Sequence, residues 1–123
     1  MAKHNDIGTW GEDIACETLI AKGYAITGRN CRIGNYEIDI IAMKGNRIIF
    51  VEVKTRSIAY TDPLDAVDAK KISRICHAAD AYIRANGISH EAQFDIITVI
   101  GTAESHTVEH IPDAFMPSLK TYR

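Results

Sequence analysis

Hydrophobic and polar positions alternate with two different periods along this chain, and the switches between them mark out its elements. From about Asp6 to Lys22 the apolar residues Ile7, Trp10, Ile14, Leu19 and Ile20 approximate one helical stripe, with Asp6 placed to cap the start and Gly23 to end it. Tyr24 to Arg32 reads as a strand, closed by a turn at Gly34-Asn35. Glu37 to Met43 and Arg47 to Thr55, rich in Ile, Val and Phe, read as the arms of a β-hairpin turning at Lys44-Gly45-Asn46. Ser57 to Pro63 has no period and ends in a proline, so it predicts a loop, placed to act as a flap. A second helix is expected from about Leu64 to Asn86, with Ile72, Ile75, Cys76, Ala79, Tyr82 and Ile83 on one face and Gly87 as its stop. Ala92 to Ile100 and His106 to Ile111 form a closing hairpin. The order is therefore α-β-β-β-α-β-β, an α/β fold with a central mixed sheet flanked by helices.

The first hairpin concentrates the candidate chemistry. If Met43 faces Ile48, partners across the hairpin have numbers that sum to 91, which sets Asp39 opposite Glu52 and Glu37 opposite Lys54. Unbroken alternation then gathers Glu37, Asp39, Glu52 and Lys54 on one face. Two carboxylates with Cβ atoms roughly 5 Å apart repel each other unless a cation lies between them, and Mg²⁺ suits such a pair because it takes one or two carboxylates plus water and phosphate oxygens. A one-residue slip would scatter the cluster. Val-Glu-Val-Lys by itself is also the ordinary pattern of a half-buried strand.

Composition narrows the class. A length of 123 residues, 46% hydrophobic and 24% charged, fits one globular domain spanning 1–123. The absence of a signal-like start or a bilayer-length apolar run predicts a cytoplasmic protein with no membrane contact. Three widely separated cysteines, Cys16, Cys31 and Cys76, indicate neither a disulfide framework nor a C-x-x-C metal site, and read as small buried hydrophobes. The net charge of −2 is not that of a generic nucleic-acid binder, but Lys44 to Arg84 holds eight Lys and Arg against five acids. Gly8 and Gly11 each cost a helix about 1 kcal/mol relative to Ala, which suggests a close approach of backbone or phosphate there. His106-Thr107-Val108-Glu109-His110 fits the H-x-x-E-H pattern of inverted zincin peptidases, yet it alternates like a strand, and that pattern needs a helix.

Asp39, twelve intervening residues, then Glu52-Val53-Lys54 resembles the PD-(D/E)xK signature of restriction-endonuclease-like nucleases. More closely, the chain is similar to the YraN-like family, bacterial proteins related to archaeal Holliday junction resolvases. The similarity is carried by Gly8-Thr9-Trp10-Gly11-Glu12, Gly23-Tyr24, Arg29-Asn30, Glu37-Ile38-Asp39, Phe50 to Arg56, Ala66-Val67, Lys70, Phe94-Asp95 and Ala114-Phe115. Tyr36 and Gln93 depart from it, standing where a glycine and an arginine are usual. The resemblance implies a restriction-endonuclease-like core and a Mg²⁺- (or Mn²⁺-) dependent endonuclease acting on DNA, leaving 5′-phosphate and 3′-hydroxyl ends. It implies metal ligation by Asp39, Glu52, the Val53 carbonyl and Glu12, with Lys54 as catalytic residue and Glu37 tuning it. Arg29, Arg56, Lys70 and Lys71 are the expected nucleic-acid contacts, and resolvase relatives work as homodimers. A catalytically silent nucleic-acid-binding module on the same fold is the alternative, and an adaptor whose helix packs on a partner is a third.

Overall fold

The computed structural model describes residues 6–56 and 69–115. Its elements run α1 (Asp6–Ala21), β1 (Ala25–Ile33), β2 (Tyr36–Lys44), β3 (Arg47–Arg56), α2 (Ala69–Ala85), β4 (Glu91–Gly101) and β5 (His106–Ile111). This is the expected order. The Ser57–Pro63 loop, the Leu64–Asp68 start of the second helix, and Ala66-Val67 lie outside the described residues.

The five strands form one sheet in the order β1-β2-β3-β4-β5. Neighbours are antiparallel except β3 and β4, which run parallel from Arg47↔Glu91 to Arg56↔Ile100. A parallel neighbour cannot be reached by a tight turn, so α2 lies in the crossover between the two strands. Helix α2 packs on one face, where Ile75, Cys76, Ala78 and Ala79 meet Ile38, Ile41, Ile48, Phe50, Phe94 and Ile96. Helix α1 covers the other, where Ala15, Cys16 and Leu19 meet Ile40, Ala42, Ile49, Val51, Ile97 and Val99. Phe115 stacks on Phe94 at a centroid distance of 5.1 Å and helps to close the α2 side.

Local chemistry accounts for the boundaries. At the end of α1 the Gly23 N–H donates to the Ile20 carbonyl and the Tyr24 N–H to the Leu19 carbonyl, both at 3.0 Å. The stripe on α1 differs from the expected one: Ile20 is 58% exposed, while Ala15, Cys16 and Leu19 are buried. Leu19 stands four residues after Ala15 on the sheet-facing side, and Ile20, one residue further round, points away. Gly11 is where α1 closes on β3, but the group it admits is a side chain rather than the backbone or phosphate expected: a Cβ there would collide with the Thr55 hydroxyl. Among the described residues no helix is long and apolar enough to cross a membrane.

The β2–β3 hairpin has the expected register, from Lys44↔Arg47 through Met43↔Ile48 to Ile40↔Val51. Gly45 takes a φ of +58° at the turn, a conformation that costs glycine no Cβ clash. Beyond Ile40 and Val51 the ladder stops. The alternation of faces along β2 also breaks, because Ile38 and Ile41 pack on the α2 side while Ile40 packs on the α1 side. The β1–β2 ladder passes from Arg29↔Ile40 to Cys31↔Ile38 in one register without pairing Asn30 and Asp39, and its register shifts between Ile26 and Gly28. Asn30 has a φ of +51°, a left-handed conformation uncommon for residues other than glycine. The change of face between Ile38 and Ile40 corrects the expectation that Glu37, Asp39, Glu52 and Lys54 share one unbroken face.

Candidate active site

Where β2 and β3 part, the Asp39 carboxylate takes the place of a ladder partner. Its Oδ2 accepts the Val53 N–H at 2.8 Å. Glu52 points to the α2 side, where its Oε2 lies 2.7 Å from the Lys71 ammonium and its Oε1 accepts a hydrogen bond from the Tyr36 hydroxyl at 3.2 Å. Burial and the negative charge of Glu52 push the Asp39 carboxyl up to about 7, and the Val53 N–H opposes this only in part. Burial and the adjacent Lys71 lower the pKa of Lys54. Burial also works against the charge of Lys71, but its hydrogen bond and ion pair with Glu52 hold its pKa above the ordinary value. Burial and Glu52 likewise raise the Tyr36 hydroxyl. The centre is thus two acids, with Glu52 opposing the ionisation of Asp39, beside two ammonium groups, with Lys71 opposing the charge of Lys54. Thr98, buried on β4 and opposite Lys54 in the β3–β4 ladder, carries a hydroxyl with no hydrogen-bond partner among the described residues.

Other expected site residues lie around this centre. Glu12 on α1 accepts from the Asn30 side-chain amide at 3.1 Å and lies 3.6 Å from Arg29, and its charge adds to the shift on Asp39. Arg29 makes its closer ion pair with Asp13 at 2.9 Å. Glu37 is exposed and pairs with Arg32 across the β1–β2 ladder. Val53 contributes its N–H to Asp39. Arg56 is half-buried at the end of β3, and Lys70 is exposed in the first described turn of α2.

Two hard oxygen donors, one of them held poorly ionised by burial and by the charge of the other, fit a small divalent cation. Among the described residues no three His, Cys, Asp or Glu side chains form a metal cluster. Mg²⁺ does not require a third, since water and phosphate oxygens complete its shell.

A second polar cluster escaped the sequence reading. Asp95 on β4 is buried, with its Oδ2 2.8 Å from His110 Nε2 and 3.1 Å from the Tyr24 hydroxyl. Its Oδ1 accepts from Gln93 Nε2 at 2.9 Å and from the Asp113 N–H at 3.0 Å. Burial alone would raise Asp95, but the bonds from His110, Gln93 and Asp113 hold its carboxyl below the ordinary value. Ionised Asp95 selects the Nε2–H form of His110, whose Nδ1 can then accept from Lys22 Nζ at 2.8 Å. Burial and Asp95 push the Tyr24 hydroxyl up to about 12. The network ties the end of α1 to β4 and β5. Its one visible signal in the sequence is an acid inside the apolar run Phe94 to Ile100. His106 and His110 stand on the strand β5, as alternation predicted, and not on a helix.

Fold and site together define a class: a mixed-sheet α/β protein with paired carboxylates and lysines where two strands part. The chain belongs to the uncharacterised protein family UPF0102, which it matches over residues 11–99. It is 47% identical over 120 residues to a UPF0102 protein of Bacteroides thetaiotaomicron, covering 97% of this chain and 99% of that one. A UPF0102 protein of Bacteroides fragilis is 48% identical over the same shares, and one of Flavobacterium psychrophilum is 44% identical over 94% of this chain and 98% of its own.

Proposed function

We propose that this protein is a Mg²⁺-dependent endonuclease-like phosphodiesterase acting on DNA. The observation that carries the reading is the meeting of Asp39 and Glu52 where β2 and β3 diverge, with Lys54 and Lys71 beside them. Acids opposed in this way bind a divalent cation, and ammonium groups at the same place attract phosphate. Asp39 and Glu52 would hold the ion, which when bound polarises a phosphodiester and acidifies a water. Lys54 orients that water or stabilises the charge that develops on the phosphoryl oxygens. Lys71 steers Glu52 through their ion pair, and Tyr36 fixes the other carboxylate oxygen. Hydrolysis of this kind leaves 5′-phosphate and 3′-hydroxyl ends.

The second reading, a silent binding module, is favoured by one observation: Lys71 already partly neutralises Glu52 at 2.7 Å. Cleavage of labelled linear, flapped and four-way DNA with Mg²⁺ or Mn²⁺ separates the two. The wild type is expected to cut, Asp39→Asn to lose cutting altogether, and Lys54→Ala to fall by at least about a hundredfold. DNA that is bound but uncut by the wild type under every metal condition would leave the binding module.

A further inference from the structure

An open groove of about 600 Å³ runs between the β1–β2 turn and the outer side of α2, with Ile33, Tyr36, Arg74, His77, Ala78 and Ala81 among its lining. We propose that this groove binds an unpaired nucleotide of the DNA strand next to the acid cluster, so that the protein takes substrates with a single-stranded segment in preference to intact duplex. The inference rests on the nucleic-acid reading above and deepens it.

Three observations support this occupant. First, the groove and the acid cluster share a wall, since Tyr36 lines the groove while its hydroxyl reaches Glu52 Oε1 at 3.2 Å. A strand whose phosphate lies at Glu52 and Lys54 has its adjoining nucleotide at the groove mouth. Second, Lys71 and Arg74 are spaced three apart on α2, and their positive charges lead from Glu52 to the groove, which His77 lines one turn further on. Arg74 and His77 are exposed, and among the described residues no Asp or Glu lines the groove. The positive field of Arg74 extends to the Tyr36 hydroxyl, which places it near the shared wall. Third, apart from Asn35 at the β1–β2 turn, the remaining lining is apolar: Ile33 and Gly34 on one side, Ala78 and Ala81 on the other.

A volume of this size suits a small organic group, since ligand pockets span roughly 300–1,000 Å³. Apolar walls with the Arg74 guanidinium at the rim match a nucleotide whose base has left the stack, because the base offers a flat apolar surface and the phosphate a charge. Bases within a duplex are stacked and present only their edges, so they cannot enter.

The test uses a fluorescent oligothymidylate and a blunt duplex of equal length, with Ca²⁺ in place of Mg²⁺ during binding. Arg74→Glu reverses the rim charge, and Ala81→Trp fills the groove from an exposed position that folding tolerates. Circular dichroism melts confirm that both variants are folded. We expect each substitution to weaken oligothymidylate binding roughly tenfold while duplex binding changes far less. With Mg²⁺, flap cleavage should fall in parallel. Wild-type affinity and flap cleavage in both variants, alongside cleavage abolished by Asp39→Asn, would overturn the groove and leave the nuclease standing. Weakened oligothymidylate binding in a protein that cuts nothing would support the groove and defeat the nuclease. A wild type that neither binds nor cuts any of these DNAs would overturn both.

Discussion

At the scale of single residues, Asp39 is the position on which the proposed chemistry turns. Its carboxyl is raised to about 7 from an ordinary 3.8, so between those values the folded protein holds a proton that the unfolded chain has released. Folding stability in metal-free buffer must therefore fall as pH rises from about 4 to about 7. Asp39→Asn keeps an oxygen for the Val53 N–H and removes the charge that Glu52 opposes. Thermal melts in a chelating buffer should show the Asp39→Asn variant at least as stable as wild type at pH 8, with the decline between pH 4 and pH 7 much reduced. A variant that melts well below wild type at pH 8 would mean that the ionised carboxylate stabilises the fold. Asp95 behaves in the opposite sense. Its pKa lies below the ordinary 3.8, so its contribution is fully present above that value and is lost as pH falls through the lower folded one. Asp95→Asn should cost about 2–3 kcal/mol at neutral pH, because it replaces a buried carboxylate that accepts from His110, Tyr24, Gln93 and Asp113. Denaturant titrations at pH 7 and pH 3 check both parts, since the gap between variant and wild type should narrow in acid.

At the scale of elements, the parts dictated by local chemistry were legible in the sequence. The Gly45-Asn46 turn sets the hairpin register, and partners do sum to 91 from Lys44 to Ile40. The ends of both described helices fall within two residues of their glycine stops. What alternation alone misjudged is the end of β2, where the ladder with β3 stops and the face changes between Ile38 and Ile40. No signal within β2 announces it. The Lys71–Glu52 and Asp95–His110 pairs were equally hidden. The first depends on how α2 lies across β3, and the second joins strands that an alternating pattern describes without revealing what faces what. The contact between α1 and β3 offers an element-scale test. Gly11→Ala forces a methyl group against the Thr55 hydroxyl and should cost about 1–3 kcal/mol, whereas Thr55→Ala beside it should recover much of that loss. Equal losses with and without the second change would show that Gly11 serves something other than the approach to Thr55.

At the scale of the whole molecule, the two helices cover opposite faces of the sheet, while Asp39 stands where β2 and β3 part and within the field of charges from both sides. Glu12 acts on it from α1 and Lys71 from α2, which makes the acid cluster the meeting point of the two halves of the core. The chain as a whole is acidic by two charges, yet the surface beside the acids carries Lys54, Lys71 and Arg74.

The central claim, that Asp39 and Glu52 form a divalent-cation site, is tested most directly by calorimetric titration of Mn²⁺ into the wild type, Asp39→Asn and Glu52→Gln at pH 8. One ion bound per wild-type chain, and binding lost in each variant, is the expected result. Binding that persists unchanged in both variants, or a wild type that binds no ion with or without a DNA strand present, would contradict it.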